Sequence, residues 1–209
     1  MVEARTLILL RHGQTAWNLE RRIQGQTDAE LDETGHAQAR AAAKEIATLR
    51  PGLIWSSDLS RASVTAAYVG EACGLPVTLD FRLREFHLGE RQGFSHGEYA
   101  ALDADEFADF RGGNYDRVPG AEPTAVVRSR MVSVLTDLLV ALAPGQLGVA
   151  ISHGAAIRVA VAALLGWPDR QFHTLRGLDN CAWAVVGEHP GVGRLRLAAY
   201  NRVAPGIGC

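Results

Sequence analysis

Four short stretches of the chain carry residue types that can handle a phosphoryl group: Arg11-His12-Gly13, Ser57-Asp58-Leu59-Ser60-Arg61, Leu83-Arg84-Glu85 and Ser152-His153-Gly154. Two of their arginines (Arg11, Arg61), both histidines (His12, His153) and one of their carboxylates (Glu85) are the candidates for the chemistry. Guanidinium groups grip phosphoryl oxygens bidentately, and a neutral imidazole can serve as nucleophile. That inventory suits phosphoryl transfer without a metal. No Gly-rich dinucleotide or P-loop pattern follows a predicted strand, so no nucleotide cofactor is expected. Each stretch alone stays ambiguous. A histidine at a strand end is more often a hydrogen-bonded structural residue, Arg61 could pair with a carboxylate on its helix surface, and Glu85 could face solvent.

The elements that must position these residues are legible in the apolar pattern. Thr6–Leu10 is a continuous apolar run, the signature of a strand buried on both faces. It ends at Gly13, a residue that allows a sharp turn and a close ligand approach. Leu53–Trp55, Val77–Leu79 and Leu147–Ile151 read as further buried strands, and Cys181–Val186 with Arg194–Tyr200 as a closing hairpin-type pair. Helical spacing covers Thr34–Leu49 up to Pro51-Gly52. A second helix is capped by Ser57 or Asp58 and ends at Gly74. A third has Pro123 in its first turn, the stripe Val127, Met131, Val134, Leu138 and Leu142, and a stop at Pro144-Gly145. A fourth spans Ala155–Leu165. Leu19–Leu31 reads as a polar loop and Arg202–Cys209 as a mobile tail.

Strand and helix alternate, which predicts an α/β fold: a doubly wound, mostly parallel sheet with helices on both faces. In such a sheet the carboxyl ends of the strands converge on one crevice, where the four stretches would meet. Residues 1–209 form one domain in this reading. Phe94–Val118 is acidic with short helical pieces, so 94–122 is expected to be a small helical insertion over the active site.

A net charge of −2 offers no field for a nucleic acid or an anionic membrane. No apolar run reaches membrane-spanning length, and the N-terminus runs into the first strand without a visible leader. Cys73, Cys181 and Cys209 lack metal-ligand spacing and read as free thiols, so a cytoplasmic location is expected.

The motifs, in order, resemble the histidine phosphatase superfamily, in its phosphoglycerate-mutase-like branch 1. Arg11 to Asn18 matches Arg-His-Gly-(Glu/Gln)-Thr-x-x-Asn, Ser57 to Ala62 matches Ser-Asp-Leu-x-Arg-Ala, and Leu83-Arg84-Glu85 with Gly89 and Ser152-His153-Gly154 complete the set. The resemblance implies that His12 becomes phosphohistidine, that Arg11, Arg61 and His153 grip the phosphoryl oxygens, and that Glu85 moves the proton. It implies no cofactor and is compatible with a homodimer. Asn18 and Thr15 are further contact candidates, and Gln24 and Gln26 either line the mouth or belong to a solvated loop. His87 and His96 flank the acid motif and could touch substrate, whereas His36, His173 and His189 match no motif. Glu122, in a variant of the family's Pro-Gly-Gly-Glu-Ser loop, is either a pocket residue or an acid stabilised at a helix N-terminus.

Within the family, Glu85 to Gly93 follows the phosphatase pattern Glu-x-x-x-Gly-x-x-x-Gly, with Arg91 where tryptophan is usual. Asp103–Phe110 is acidic, which argues against a bisphosphate-handling mutase. The expected activity is therefore hydrolysis of a small phosphate ester. Leu83–Gly89 and Gly177–Trp183 resemble the bacterial glucosyl-3-phosphoglycerate phosphatases, which makes that ester or another sugar phosphate the expected substrate. The alternatives are a 2,3-bisphosphoglycerate-dependent phosphoglycerate mutase and a catalytically silent phosphate-ester-binding protein.

Overall fold

A computed structural model describes residues 4–189 and 191–206. β1 (Thr6–Arg11) is followed by the one-turn α1 (Ala16–Leu19), α2 (Glu33–Thr48), β2 (Leu53–Ser56), α3 (Ser60–Cys73) and β3 (Val77–Leu79). Next come α4 (His96–Leu102), α5 (Ala104–Arg111), α6 (Thr124–Ala141), β4 (Leu147–Ser152), α7 (Gly154–Leu164), β5 (Trp183–Glu188) and β6 (Leu195–Arg202). The six strands form one sheet in the order β3-β2-β4-β1-β5-β6. β3, β2, β4 and β1 are parallel, and β5 and β6 close the sheet antiparallel.

Alternation along β1 splits the core in two. Ile8 and Leu10 join Ala39, Ile46, Ala66 and Val69 of α2 and α3 on one face. Leu7 and Leu9 join Val127, Met131, Leu138, Ile157 and Val161 of α6 and α7 on the other. Period-2 burial in strands sandwiched by helices is what a near-continuous apolar run requires. The mostly parallel sheet with helices on both faces is thus observed.

Four local expectations change. α3 is capped neither by Ser57 nor by Asp58. The Ser60 N–H donates instead to Asp28 Oδ1 at 2.8 Å, while Asp58 is occupied by a bidentate pair with Arg84. Gly13 is required by packing rather than by a turn, since a Cβ there would lie 2.6 Å from the Gly35 carbonyl oxygen. β6 runs through Arg202 and Ala204 is buried against the Trp183 cluster, so the chain stays packed to that point; Pro205 and Gly206 are exposed, and 207–209 with Cys209, the end of the expected mobile tail, lie outside the described residues. Arg91, in the usual tryptophan position, is accommodated by Glu106, 2.8 Å from its Nε, and by the Tyr99 ring beneath its guanidinium. Tyr99 also donates its hydroxyl to Glu106 at 2.6 Å.

α4 and α5 therefore close over a buried ion pair and an aromatic cluster of Tyr99, Phe107, Phe110 and Tyr115. Removing one partner of a buried pair strands the other charge. Glu106→Ala should lower the unfolding free energy by about 3 kcal/mol in urea titrations. An unchanged midpoint would show that the pair does not hold α4 and α5 in place.

Candidate active site

β1 and β4 are neighbours, so their ends bring His12 and His153 together with ring centroids 5.1 Å apart. β2 leads into α3, whose first turn carries Arg61, and β3 leads through a single 3-10 turn at Phe81–Leu83 to Arg84-Glu85. The parallel strand ends thus bring Arg11, His12, Arg61, His153 and Glu85 to one place. Arg11, His12, Arg61 and Glu85 line a cavity of about 430 Å³, with His153 fully buried behind His12.

His12 Nδ1 lies 2.7 Å from the Gly13 carbonyl oxygen. A carbonyl can only accept, so the proton sits on Nδ1 and the lone pair on Nε2. Burial, then Arg61 and Arg11, holds the imidazole well below the usual histidine range, so it is neutral at neutral pH. His153 Nε2 lies 2.9 Å from Ser57 Oγ, which already accepts from the Leu59 N–H. A hydroxyl can donate to or accept from Nε2, and the tautomer in which Ser57 donates is the one that leaves the unpartnered Nδ1 as a donor. Burial and Arg61 likewise hold His153 well below the usual range.

Arg61 is locked by carbonyls: Nη1 donates to Thr27 O at 2.8 Å and Nη2 to Gly25 O at 2.7 Å. Burial pushes its guanidinium down to about 10, the mark of a cation without an adequate counter-ion. Arg11 Nη1 donates to Leu178 O at 2.5 Å. Glu85 sits at the start of α7, where Oε1 accepts from the Phe86 and Ala156 N–H groups and Oε2 from Ala155 N–H, at 2.9–3.0 Å. These bonds fix the direction of the carboxylate. The alternatives open for Arg61 and Glu85 from sequence alone, a surface ion pair and a solvent-facing acid, do not describe them.

Among the described residues, six buried side-chain polar atoms have no partner: Arg11 Nε, Gln24 Oε1, Arg61 Nε, His153 Nδ1, Arg158 Nε and Trp183 Nε1. All but Trp183 belong to the cavity or its immediate wall. Buried polar groups are ordinarily paired, and here three unpartnered arginine N–H groups gather with His153 Nδ1 and the acceptor Gln24 Oε1, a set that suits an anion carrying a donor of its own.

The remaining candidates divide. Asn18 and Gln24 line the cavity. Asn18 Oδ1 is held by Thr15 and by Asn180 Nδ2 at 3.2 Å, which leaves its amide NH₂ for the cavity. Thr15 is fully buried and its hydroxyl caps α1, so it positions Asn18. Gln26 donates to the Glu85 carbonyl at 3.0 Å. His96 lines the cavity, whereas His87 is exposed and turned to the Gly120 carbonyl. Glu122 is neither pocket residue nor helix-terminal acid but the partner of Arg130 on α6, with both contacts under 3 Å. His36 meets the Tyr68 hydroxyl, and His173 lines a different cavity.

Sequence reasoning missed Arg22, Arg111, Tyr115 and Arg158, which also line the cavity. Arg158 left a signal: it is the lone charge in the apolar run of α7. The acidic character of Asp103–Phe110 does not reach the cavity, because Glu106 is consumed by Arg91 and the wall there is Phe110 and Arg111. The argument against a bisphosphate from the acidity of 103–110 therefore loses its ground.

A family model described as the histidine phosphatase superfamily (branch 1) matches residues 7–201. The glucosyl-3-phosphoglycerate phosphatase of Mycobacterium tuberculosis is 38% identical, with 97% of each chain covered. The "Probable phosphoglycerate mutase GpmB" of Salmonella typhi is 36% identical over 83% of this chain and 80% of that one. Among solved structures, mycobacterial glucosyl-3-phosphoglycerate phosphatase in complex with VO3 has a TM-score of 0.87 at 38% identity, covering 94% of this chain and 99% of that one. From the first strand to the last, then, the chain that gathers two histidines, two arginines and a carboxylate at its strand ends belongs to the histidine phosphatase superfamily, branch 1, and is a phosphatase.

Proposed function

We propose that His12 is the nucleophile, Glu85 the proton-transfer group, and Arg11, Arg61 and His153 the phosphoryl clamp. The observation that carries this reading is the set of vacant buried donors around a neutral imidazole whose Nε2 lone pair is free. In the first step His12 Nε2 attacks phosphorus, the bond to the ester oxygen breaks, and that oxygen takes a proton from Glu85. In the second, water attacks the phosphohistidine, its proton passes to Glu85, and the N–P bond electrons return to Nε2. The guanidinium groups and the His153 Nδ1–H stabilise the equatorial oxygens in both transition states.

The preferred substrate in this reading is a phosphate ester of a hydroxy acid, with glucosyl-3-phosphoglycerate, the ester that names the mycobacterial relatives, as first choice. Arg22, Arg111 and Arg158 support it, because they supply positive charge for a second anionic group, here a carboxylate, while burial and Arg111 hold His96 below the usual histidine range so that it contributes a neutral ring. Asn18 and Gln24 complete the contacts, Gln24 Oε1 accepting from a leaving-group hydroxyl. Residues 94–122 serve as the insertion that shapes this end of the site. The family resemblance and the free thiols Cys73 and Cys181 support a cytoplasmic homodimer.

Phosphate release should be measured across a panel of monoesters that includes glucosyl-3-phosphoglycerate, glucose phosphates and 3-phosphoglycerate. His12→Ala should abolish turnover and acid-labile phosphoprotein labelling. Arg158→Met should raise KM for carboxylate-bearing esters at least tenfold more than for neutral sugar phosphates. Conversion of 3- to 2-phosphoglycerate without phosphate release would make the chain a mutase instead, and binding without turnover would make it a silent binder.

The two buried histidines also set a pH dependence. Their folded-state affinity for protons is lowered, so below about pH 6.5 the unfolded chain binds protons that the native protein refuses. Stability should be fully present above that value and fall between pH 6.5 and 5, by up to about 3 kcal/mol per pH unit for the pair. Urea unfolding at a series of pH values tests this, and His153→Asn should remove part of the slope. A flat profile across that window would mean that the imidazoles are charged in the native state.

A further inference from the structure

Glu85 stands on a segment with almost no regular hydrogen bonding of its own. Apart from the single 3-10 turn at Phe81–Leu83, residues 82–87 belong to no helix or strand. The carbonyls of Arg82 through Glu85 are satisfied by side chains from elsewhere. Ser152 donates to Leu83 O at 2.7 Å, and Gln26 to Glu85 O at 3.0 Å. Arg130, from the middle of α6, does the rest. Its Nη1 donates to Arg82 O at 2.8 Å and Arg84 O at 2.6 Å, and its Nη2 to Glu85 O at 2.9 Å. Its Nε and Nη2 also donate to Glu122, at 2.8 and 2.9 Å.

A guanidinium has five N–H donors in a rigid plane, and every one is used here. Three bonds fix the backbone that carries Glu85, and two fix the guanidinium itself through Glu122. Glu122 is anchored in turn, because its backbone N–H donates to His87 O at 2.8 Å on the far side of Glu85. The Arg130 side chain is only 12% exposed and does not line the cavity. It meets Glu85 through that residue's peptide, and its charge also bears on His153, whose proton affinity it lowers.

We infer that Arg130, held by Glu122, is a positioning residue for proton transfer: it takes the place of a neighbouring strand and sets the depth at which the Glu85 carboxylate meets the ester oxygen. The inference builds on the role given to Glu85 above. A lysine keeps the charge but lacks the planar fork, so Arg130→Lys cannot remake three carbonyl bonds and two carboxylate bonds at once.

A proton donor matters for esters whose leaving group is a poor one and hardly at all for a leaving group that departs as an anion. Arg130→Lys should therefore lower kcat/KM on an alkyl phosphate such as a sugar phosphate by roughly 100-fold, the scale of an ångström-level misplacement, and on 4-nitrophenyl phosphate by no more than about threefold. Glu122→Gln should show the same selectivity at smaller amplitude, and it decides the matter if Arg130→Lys fails to fold by circular dichroism. In Arg130→Ala, millimolar guanidinium should restore alkyl ester turnover. Equal losses on both esters, or no loss on either, would overturn the inference and leave Arg130 a purely structural residue. Glu85→Gln serves as the reference. If it too lacks the leaving-group selectivity, the proton-transfer role of Glu85 is what fails; if it has it and the Arg130 and Glu122 variants do not, the positioning role fails alone.

Discussion

Charge without a counter-ion is the constraint on which this structure turns. Two guanidinium groups and two imidazoles are withdrawn from water at the ends of adjacent parallel strands, with Glu85 as the sole carboxylate among the residues that line the cavity. Unpaired buried charge is expensive, and a protein left to optimise stability would avoid it. The surroundings are arranged to tolerate it. The histidines stay neutral, Arg61 leans on the carbonyls of Gly25 and Thr27, and Arg11 leans on that of Leu178. Three arginine N–H groups, His153 Nδ1, the Gln24 amide oxygen and one carboxylate remain for a guest that brings negative charge of its own.

The core of the site was readable because its residues are tied to strand ends, and buried parallel strands leave an unmistakable apolar run. Thr6–Leu10 and Leu147–Ile151 are each followed, one residue on, by a histidine, so finding the strands found His12 and His153. Arg61 and Glu85 follow one short step later on the neighbouring strands. Residues supplied farther from the strand ends were less readable, whether they line the cavity or, like Arg130, support it from outside. Arg130 lies eight positions after Glu122, on a helix that carries a second arginine at Arg128, and nothing local distinguishes it from a solvated side chain. Arg111 and Tyr115 reach the cavity only through the path of the insertion, which no periodicity specifies.

Composition misled in one place for an identifiable reason. The segment Asp103–Phe110 is acidic as a string, yet its acids are spent separately. Asp103 caps α5, Glu106 neutralises Arg91, and Asp109 meets Arg117. Net charge along a segment says little about the charge that a cavity sees, because side-chain direction and pairing intervene. A similar substitution of distant for local support explains α3, whose cap comes from Asp28 in the loop that also supplies the two carbonyls holding Arg61.

That last arrangement bears on how the protein behaves after turnover. Because the loop from Gly25 to Asp28 clasps both the start of α3 and the guanidinium of Arg61, the anion cage is rigid before anything enters it, and little ordering entropy is lost on occupation. A cage of that kind recognises tetrahedral oxygen geometry and charge, features that an ester and free inorganic phosphate share. The leaving-group end alone separates reactant from product. On the roles proposed for these residues, the product orthophosphate competes with the ester for the cage.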